Sequence, residues 1–266
     1  SYVEIVIGYV GAAATKSLLI AFILVHALYV TLIRPQAEVF LEREAAQLQA
    51  DPAYVPQRSF YVVIKDYEQE ACFVLMLWAF SILGYKGRAA WRQQKLLEQD
   101  LLQLPDNLPV GPEDTRGLIA RLQSLPAPLQ DYLLPRALLS AVERFNATRN
   151  VQNVSTAARD LCDSEGERLE SELSTIRYIA WAIPSVGFIG TVRGIGDALG
   201  QAHRAVEGDI TGVTASLGVA FNSTFIALVI SIVLMFFIHQ LQLMQERLVL
   251  DSERYVDRWL VRRLQT

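Results

Sequence analysis

The run "VTASLGVAFNSTFIALVISIVLMFFI" (213–238) carries no charged side chain. Lipid offers the backbone no hydrogen-bond partners, and a helix rising 1.5 Å per residue crosses a core of about 30 Å in about 20 residues. The run therefore predicts a membrane-spanning helix, and the rest of the chain has to be compatible with a bilayer. Three further segments are. "AAATKSLLIAFILVHALYVTLI" (12–33) is long enough to span. "ACFVLMLWAFSILGY" (71–85) amounts to only about 22 Å of helix, so it must borrow flanking residues or thin the bilayer. A third span begins near Ile176 and follows "EGERLESELSTIRYIAWAI", which has no breaker between Glu167 and Ile183. The apolar surplus, 52% of residues, is thus gathered into runs. The expected fold is an all-α polytopic membrane protein with four transmembrane helices, two of them extending into a helical domain outside the membrane.

The segments divide as 1–33 (N-terminus and first span), 34–69 (a loop with some helix), 70–85 (second span), 86–175 (a polar domain of short helices), 176–240 (third and fourth spans) and 241–266 (a C-terminal helix). Pro35, Pro52 and Pro56 punctuate the loop, and Pro105, Pro109, Pro112, Pro126, Pro128 and Pro135 break the polar block. From Val219 to Thr266 there is neither Gly nor Pro, so the fourth span is expected to run on, with Met244, Leu248, Tyr255 and Trp259 on one side. One side of the membrane is flanked by Lys86, Arg88, Arg92, Lys95 and Arg168, and by Arg247, Arg254, Arg258, Arg262 and Arg263. Arg34, Arg43, Arg58, Lys65 and Arg204 are fewer and more dispersed on the other. The basic bias places 86–175 and both termini in the cytoplasm. The first span lacks a small-residue cleavage site and is expected to remain in the protein.

Several functions are disfavoured. The net charge of -4 is spread along the chain without a basic tract, so nucleic acid is not an expected partner. Cys72 and Cys162 lack metal-ligand spacing, and the topology places them on or near different sides of the bilayer. No nucleophile constellation, metal cluster or phosphate loop suggests an enzyme, and no internal repeat suggests a secondary transporter.

Spans three and four form a hairpin turning near Gly208, which lies almost midway along the chain between Thr191 and Thr224, so the two hydroxyls are expected at one depth. Helical spacing places Ala180, Pro184, Gly187, Gly194 and Ala198 on the face of Thr191, and Leu217, Ala220, Ala227 and Ser231 on that of Thr224. Gly190 and Gly194 add a small-xxx-small line. Such stripes let helices approach closely in lipid; the alternative is packing alone, each threonine bonding its own helix backbone. Arg193 falls within the outer half of the bilayer, where a charge is costly enough to suggest a function. Asp197, one turn on, is its expected partner in a pair that faces a neighbouring subunit; alternatively Arg193 snorkels outward. His26 and His239 are candidate proton carriers. No span places an isolated carboxylate on the threonine stripes.

"PSVGFIGTVRGI" (184–195) resembles the "PLLGLLGTVxGI" signature of the MotA/TolQ/ExbB proton-channel family, and "AFNSTFIAL" (220–228) is similar to its "ALxTTAxGL" segment on the following helix. The resemblance extends from Ile176 to Gln240. It implies a bacterial inner-membrane location, with the 34–69 loop periplasmic. It further implies a homopentamer ringing a dimer of a single-span MotB/TolR/ExbD-like protein, whose aspartate binds the transported H⁺ or Na⁺. By motif position Thr191, Thr224 and Ser223 belong to the ion pathway, with Pro184, Gly187, Gly190, Gly194, Ala220 and Ala227 shaping or packing the helices. Asn222, Phe225 and Arg193 depart from the pattern. The implied function is an ion-channel subunit of a rotary or force-transducing motor; the alternative is a non-conducting membrane scaffold.

Overall fold

The computed structural model describes residues 2–51, 54, 57, 59–102 and 110–265, with side chains from Thr15 onward. Pro52, Pro56, Pro105 and Pro109, read above as breakers, lie outside them. Among the described residues every regular element is helical, and the extended backbone pairing is an isolated bridge between Val110 and Leu264.

Helix α1 (Tyr2–Leu28) passes through a π turn at Tyr29–Ile33 directly into α2 (Arg34–Ala50). Pro35, read above as punctuation of the loop, thus falls in the first turn of α2 without breaking the helix. A proline withholds its N–H from the carbonyl four residues back, and the widened π turn just before it accommodates that loss. The short α3 (Phe60–Ile64) precedes α4 (Tyr67–Leu96), whose 30 residues extend well beyond the apolar core 71–85. At about 45 Å, α4 carries its apolar core with helical flanking residues on both sides.

Three short helices follow: α5 (Thr115–Gln123), α6 (Ala127–Gln130) and α7 (Leu133–Thr148). Arg149 then takes a left-handed conformation (φ 52°) that terminates α7. Asn150 Oδ1 accepts from the backbone N–H of Gln152 at 2.8 Å, which caps the next helix. That helix, α8 (Val151–Gly200), runs 50 residues through Pro184 without interruption. The single-turn α9 (Ala202–Val206) and Gly208, at φ +99°, reverse the chain. Glycine suits this backbone because a Cβ is disfavoured at positive φ. Asp209 Oδ1 accepts from the N–H of Thr211 at 3.1 Å, and the Thr211 donors hold its carboxyl below the usual range.

The last helix, α10 (Thr211–Trp259), stops short of the expected C-terminal run even though no Gly or Pro ends it. Tertiary contacts end it instead. Leu260 and Leu264 are buried, and the backbone beyond pairs with Val110 through Val110 N–H to Arg263 O (2.7 Å) and Gln265 N–H to Val110 O (3.1 Å). Four stretches, Thr15–Ala50, Tyr67–Leu96, Val151–Gly200 and Thr211–Arg263, are each long and apolar enough to cross a membrane.

Contacts divide the chain into two compact units, and α4, α8 and α10 contribute to both. One comprises Ser1–Leu83 and Ile176–Phe237. It buries Tyr29, Ile183, Ala220, Ala227 and Leu234 while leaving Phe22, Ile23, Trp181, Phe188 and Ile232 on its surface. An apolar exterior is what a lipid-embedded body requires. The other comprises Gly84–Thr175 and Ile238–Thr266. Its core centres on α7, where Leu134, Ala137, Leu138, Ala141, Val142 and Phe145 recur at helical spacing and are all buried. The Tyr255 hydroxyl donates to Gln99 O at 3.0 Å and accepts from the N–H of Leu101 at 3.2 Å, which ties α10 to the segment after α4. Glu165, 5% exposed, is held by Arg168 and Arg136. Both cysteines are free and buried.

Candidate ion-path site

The site lies in the hairpin of α8 and α10, where missing side chains bring two backbones together. A Cβ on Gly194 would stand 2.7 Å from Ser216 O and 2.8 Å from Ala220 Cβ. On Gly190 it would stand 2.6 Å from Ser223 Cβ, and on Gly187 3.0 Å from Ser223 O. Ala220 and Ala227 are fully buried opposite these glycines. The small residues therefore form one seam, as their helical spacing indicated, and dispersion between closely packed backbones supports the contact.

In this seam the side-chain hydroxyls of Thr191 and Thr224 hydrogen-bond to each other. Thr224 Oγ1 also donates to Gly187 O at 3.1 Å, while Thr191 Oγ1 lies 3.1 Å from Ala220 O on the facing helix and 3.4 Å from Gly187 O on its own. The two hydroxyls thus occur at one level. Thr191's shorter carbonyl contact crosses the interface, so its role is not the purely intrahelical bonding weighed as the alternative. Both residues are only half-buried. Two hydroxyl protons serve more acceptors than they can satisfy at once, so the spare capacity of the pair is in oxygen lone pairs, and a proton reaches a third group only by leaving one of these carbonyls.

Pro184 shapes α8 one layer away. It supplies no N–H to the carbonyl of Ala180, four residues earlier. Ser231 Oγ, from α10, donates to that carbonyl at 3.1 Å. Cys72 Sγ approaches Ile183 O at 3.7 Å from α4. The backbone weakness that the proline creates at Ala180 O is thus covered by Ser231 of α10.

Ser223 takes a different position from its neighbour Thr224. It is 1% exposed, donates to Val219 O at 2.8 Å, and faces Gly190 and α4 rather than the threonine pair. Gln69 Nε2 lies 3.5 Å from its hydroxyl.

Arg193 has a second partner that the spacing did not name. Its guanidinium takes both oxygens of Glu68, Nε at 2.6 Å and Nη2 at 2.8 Å, whereas Asp197 lies at 3.9 Å. Geometry explains the preference: a planar fork matches a carboxylate presented edge-on from α4, and the carboxylate one turn along the same helix meets only one nitrogen. The charge is therefore paired within the chain, by Glu68 on α4 as well as by Asp197. Next to Glu68, Glu70 is buried and binds both Arg34 and His26, with His26 Nδ1 at 2.7 Å from its Oε1. His239 is exposed.

Glu68, Gln69 and Glu70 were missed because hydropathy assigns "YEQEA" to the margin between loop and span. The available signal was a pair of carboxylates at the mouth of an apolar run, in the first turn of α4. Their partners are remote in the chain, Arg193 at a separation of 125 from Glu68 and Ser223 at 154 from Gln69.

A comparison with known families covers this hairpin. The model of the MotA/TolQ/ExbB proton channel family matches residues 130–254, which include α7, nearly all of α10, and α8 with the whole threonine seam. No curated protein and no solved structure matches the chain. With two glycine-lined helices joining their hydroxyls inside a four-span helical membrane protein, residues 130–254 of this chain belong to the MotA/TolQ/ExbB proton channel family.

Proposed function

We propose that the chain is the ion-channel subunit of an ion-motive-force-driven motor, five copies of which ring a dimer of a single-span MotB/TolR/ExbD-like protein in the bacterial inner membrane, with both termini cytoplasmic. The observation that carries this reading is the joined pair Thr191 and Thr224, half-buried on a seam with spare hydrogen-bonding capacity. A carboxylate brought into lipid is stable only when protonated or when met by donors and water. The pair offers lone pairs to a protonated aspartic acid on the partner helix, and a hydroxyl that turns away from its backbone carbonyl donates to the ionised form.

Symmetry mismatch then provides the motion. With five niches around two carboxylates, one aspartate meets a hydroxyl pair while the other does not. Proton uptake on one side and release on the other exchanges their roles and steps the ring. One elementary charge crossing 100 mV supplies about 2.3 kcal/mol, several times thermal energy. Pro184 and the glycines Gly187, Gly190 and Gly194 keep α8 and α10 close enough for the hydroxyls to act together, with Ala220 and Ala227 opposite. The transported ion in this reading is H⁺.

The test is proton flux into vesicles holding this subunit with its partner under an imposed potential. Thr191→Val and Thr224→Val retain shape but remove the hydroxyls, so each is expected to lower flux at least tenfold. Equal flux in wild type and both variants would identify a scaffold instead.

A further inference from the structure

Past the end of its apolar run at Tyr85, α4 (Tyr67–Leu96) carries Arg88, Trp91, Arg92 and Lys95. Steps of three and four residues put all four on one face of the helix. Each is exposed, Trp91 to 52%, and Lys95 Nζ stands 3.9 Å from the centre of the Trp91 ring. Beside this face lies an open groove of about 270 Å³, lined by Trp91 and Gln94 of α4 and by Gln240, Leu243, Met244 and Arg247 of α10. The charge-free run of α10 ends at Ile238, so Gln240 to Arg247 follow at about 3 to 14 Å from it, and Trp91 lies about 9 Å past Tyr85. Lipid headgroups occupy roughly the first 5–8 Å beyond the hydrocarbon. The groove therefore opens at headgroup depth. Cations that served only to orient the helices could stand anywhere around them, and in a chain of net charge -4 they would find carboxylates. Lys86 does, pairing with Glu172 at 2.5 Å. Among the described residues Arg88, Arg92, Lys95 and Arg247 have no carboxylate within ion-pair distance. The acidic groups nearby are engaged elsewhere: Glu246 accepts from Gln242 at 2.9 Å, and Asp251 accepts from Gln94 at 3.0 Å. Glu98 is exposed one turn past Gln94, on the adjoining surface.

The geometry points to a binding site for an anionic phospholipid headgroup, in the leaflet that borders residues 86–175. Arg247 from α10 and Lys95 from α4 hold the phosphate, the guanidinium through paired N–H donors and the ammonium as a point charge. Leu243, Met244 and the Trp91 ring line the groove with apolar surface for the glycerol backbone and the first methylenes, the position at which an amphipathic indole is most at home. Unpaired cations and an apolar wall at one depth suit a guest that is itself charged at one end and apolar at the other, and basic pockets between membrane helices recognise such headgroups. A lipid seated there bridges α4 and α10. The site is independent of ion conduction by the threonine seam.

The test is native mass spectrometry of the full chain released from nanodiscs of phosphatidylglycerol and phosphatidylcholine in equal parts. Both lipids carry a phosphate diester, but only the first has a net charge. Wild type is expected to retain phosphatidylglycerol in preference. Arg247→Gln and Lys95→Gln should each lower that preference about fivefold, the factor equivalent to about 1 kcal/mol per cation at a membrane surface, with the melting temperature unchanged because both side chains are exposed. Arg258→Gln removes the same charge from α10 about 30 Å past Ile238 and should leave the preference as in wild type. Excess inorganic phosphate should not displace the lipid. Equal retention of both lipids by wild type, or an equal effect of all three substitutions, overturns the site. Displacement by phosphate would mark a site for a soluble anion, and loss of subunits rather than lipid from the variants would assign the groove to a second copy of the chain; either result overturns it as well. Thr191→Val should retain phosphatidylglycerol as wild type does, so a failure of the channel reading leaves this result unchanged.

Discussion

The proline in α8 and the serine that covers it make a measurable pair. Pro184 leaves the Ala180 carbonyl without its helical donor, and Ser231 Oγ supplies one at 3.1 Å. Ser231→Ala should therefore strand a carbonyl in the apolar interior. Hydrogen bonds between membrane helices are worth about 0.6 kcal/mol on average and up to ~1.7. Because the lost donor is the one that replaces a missing helical N–H, the upper part of that range is expected, a change of roughly tenfold in the unfolding equilibrium. The same substitution in a Pro184→Ala background should cost almost nothing, because an N–H at position 184 can bond Ala180 O within α8. The assay is a double-mutant cycle by equilibrium unfolding in mixed micelles or bicelles, in which the coupling should approach the full cost of Ser231→Ala. An equal cost for Ser231→Ala in both backgrounds would refute the argument, since the serine would then contribute packing rather than a donor.

The glycine seam should resist even a methyl group: Gly194→Ala places a Cβ 2.7 Å from Ser216 O, and overpacking of this kind costs about 1–3 kcal/mol, readable as a lower unfolding midpoint, while Gly196→Ala, with open space around it, should be neutral. For the ion pair of Arg193 and Glu68, Glu68→Gln is expected to destabilise more than the double variant Glu68→Gln/Arg193→Gln, since the single change strands a charge; strict additivity in the same unfolding assay would count against the pairing. In the second unit, burial pushes the Cys162 thiol up to about 12, so at pH 8 only about one thiol in 10⁴ is ionised. Maleimide should label Cys162 slowly in the folded protein and quickly once denaturant opens that unit; rapid native labelling would contradict its burial.

The helical membrane class was legible in the chain because it depends on local quantities. The charge-free run 213–238 dictates a spanning helix wherever it packs, and the 3.6-residue period places the small residues and one hydroxyl of each helix on a common stripe. The turn was equally local, since Gly208 adopts the left-handed backbone its residue type favours. Similar spacing from that turn placed Thr191 and Thr224 at one level, and the fold joins them.

What periodicity cannot express is which other helix a face meets. Glu68 rather than Asp197 takes the fork of Arg193, and Gln69 lies against Ser223, because α4 comes to lie beside the hairpin. The ends of helices follow the same division. Pro35 suggests a stop, yet a π turn carries the helix past it; nothing in the residues after Val219 suggests a stop, yet Leu260, Leu264 and the Val110 bridge end α10. Local propensities amount to tenths of a kcal/mol to about 1 per ordinary residue, whereas burying a leucine contributes about 1.5–3 kcal/mol. The sequence therefore determines the class, the spans and the threonine level, while the tertiary structure decides partners and endpoints, where contacts between distant segments outweigh local preference.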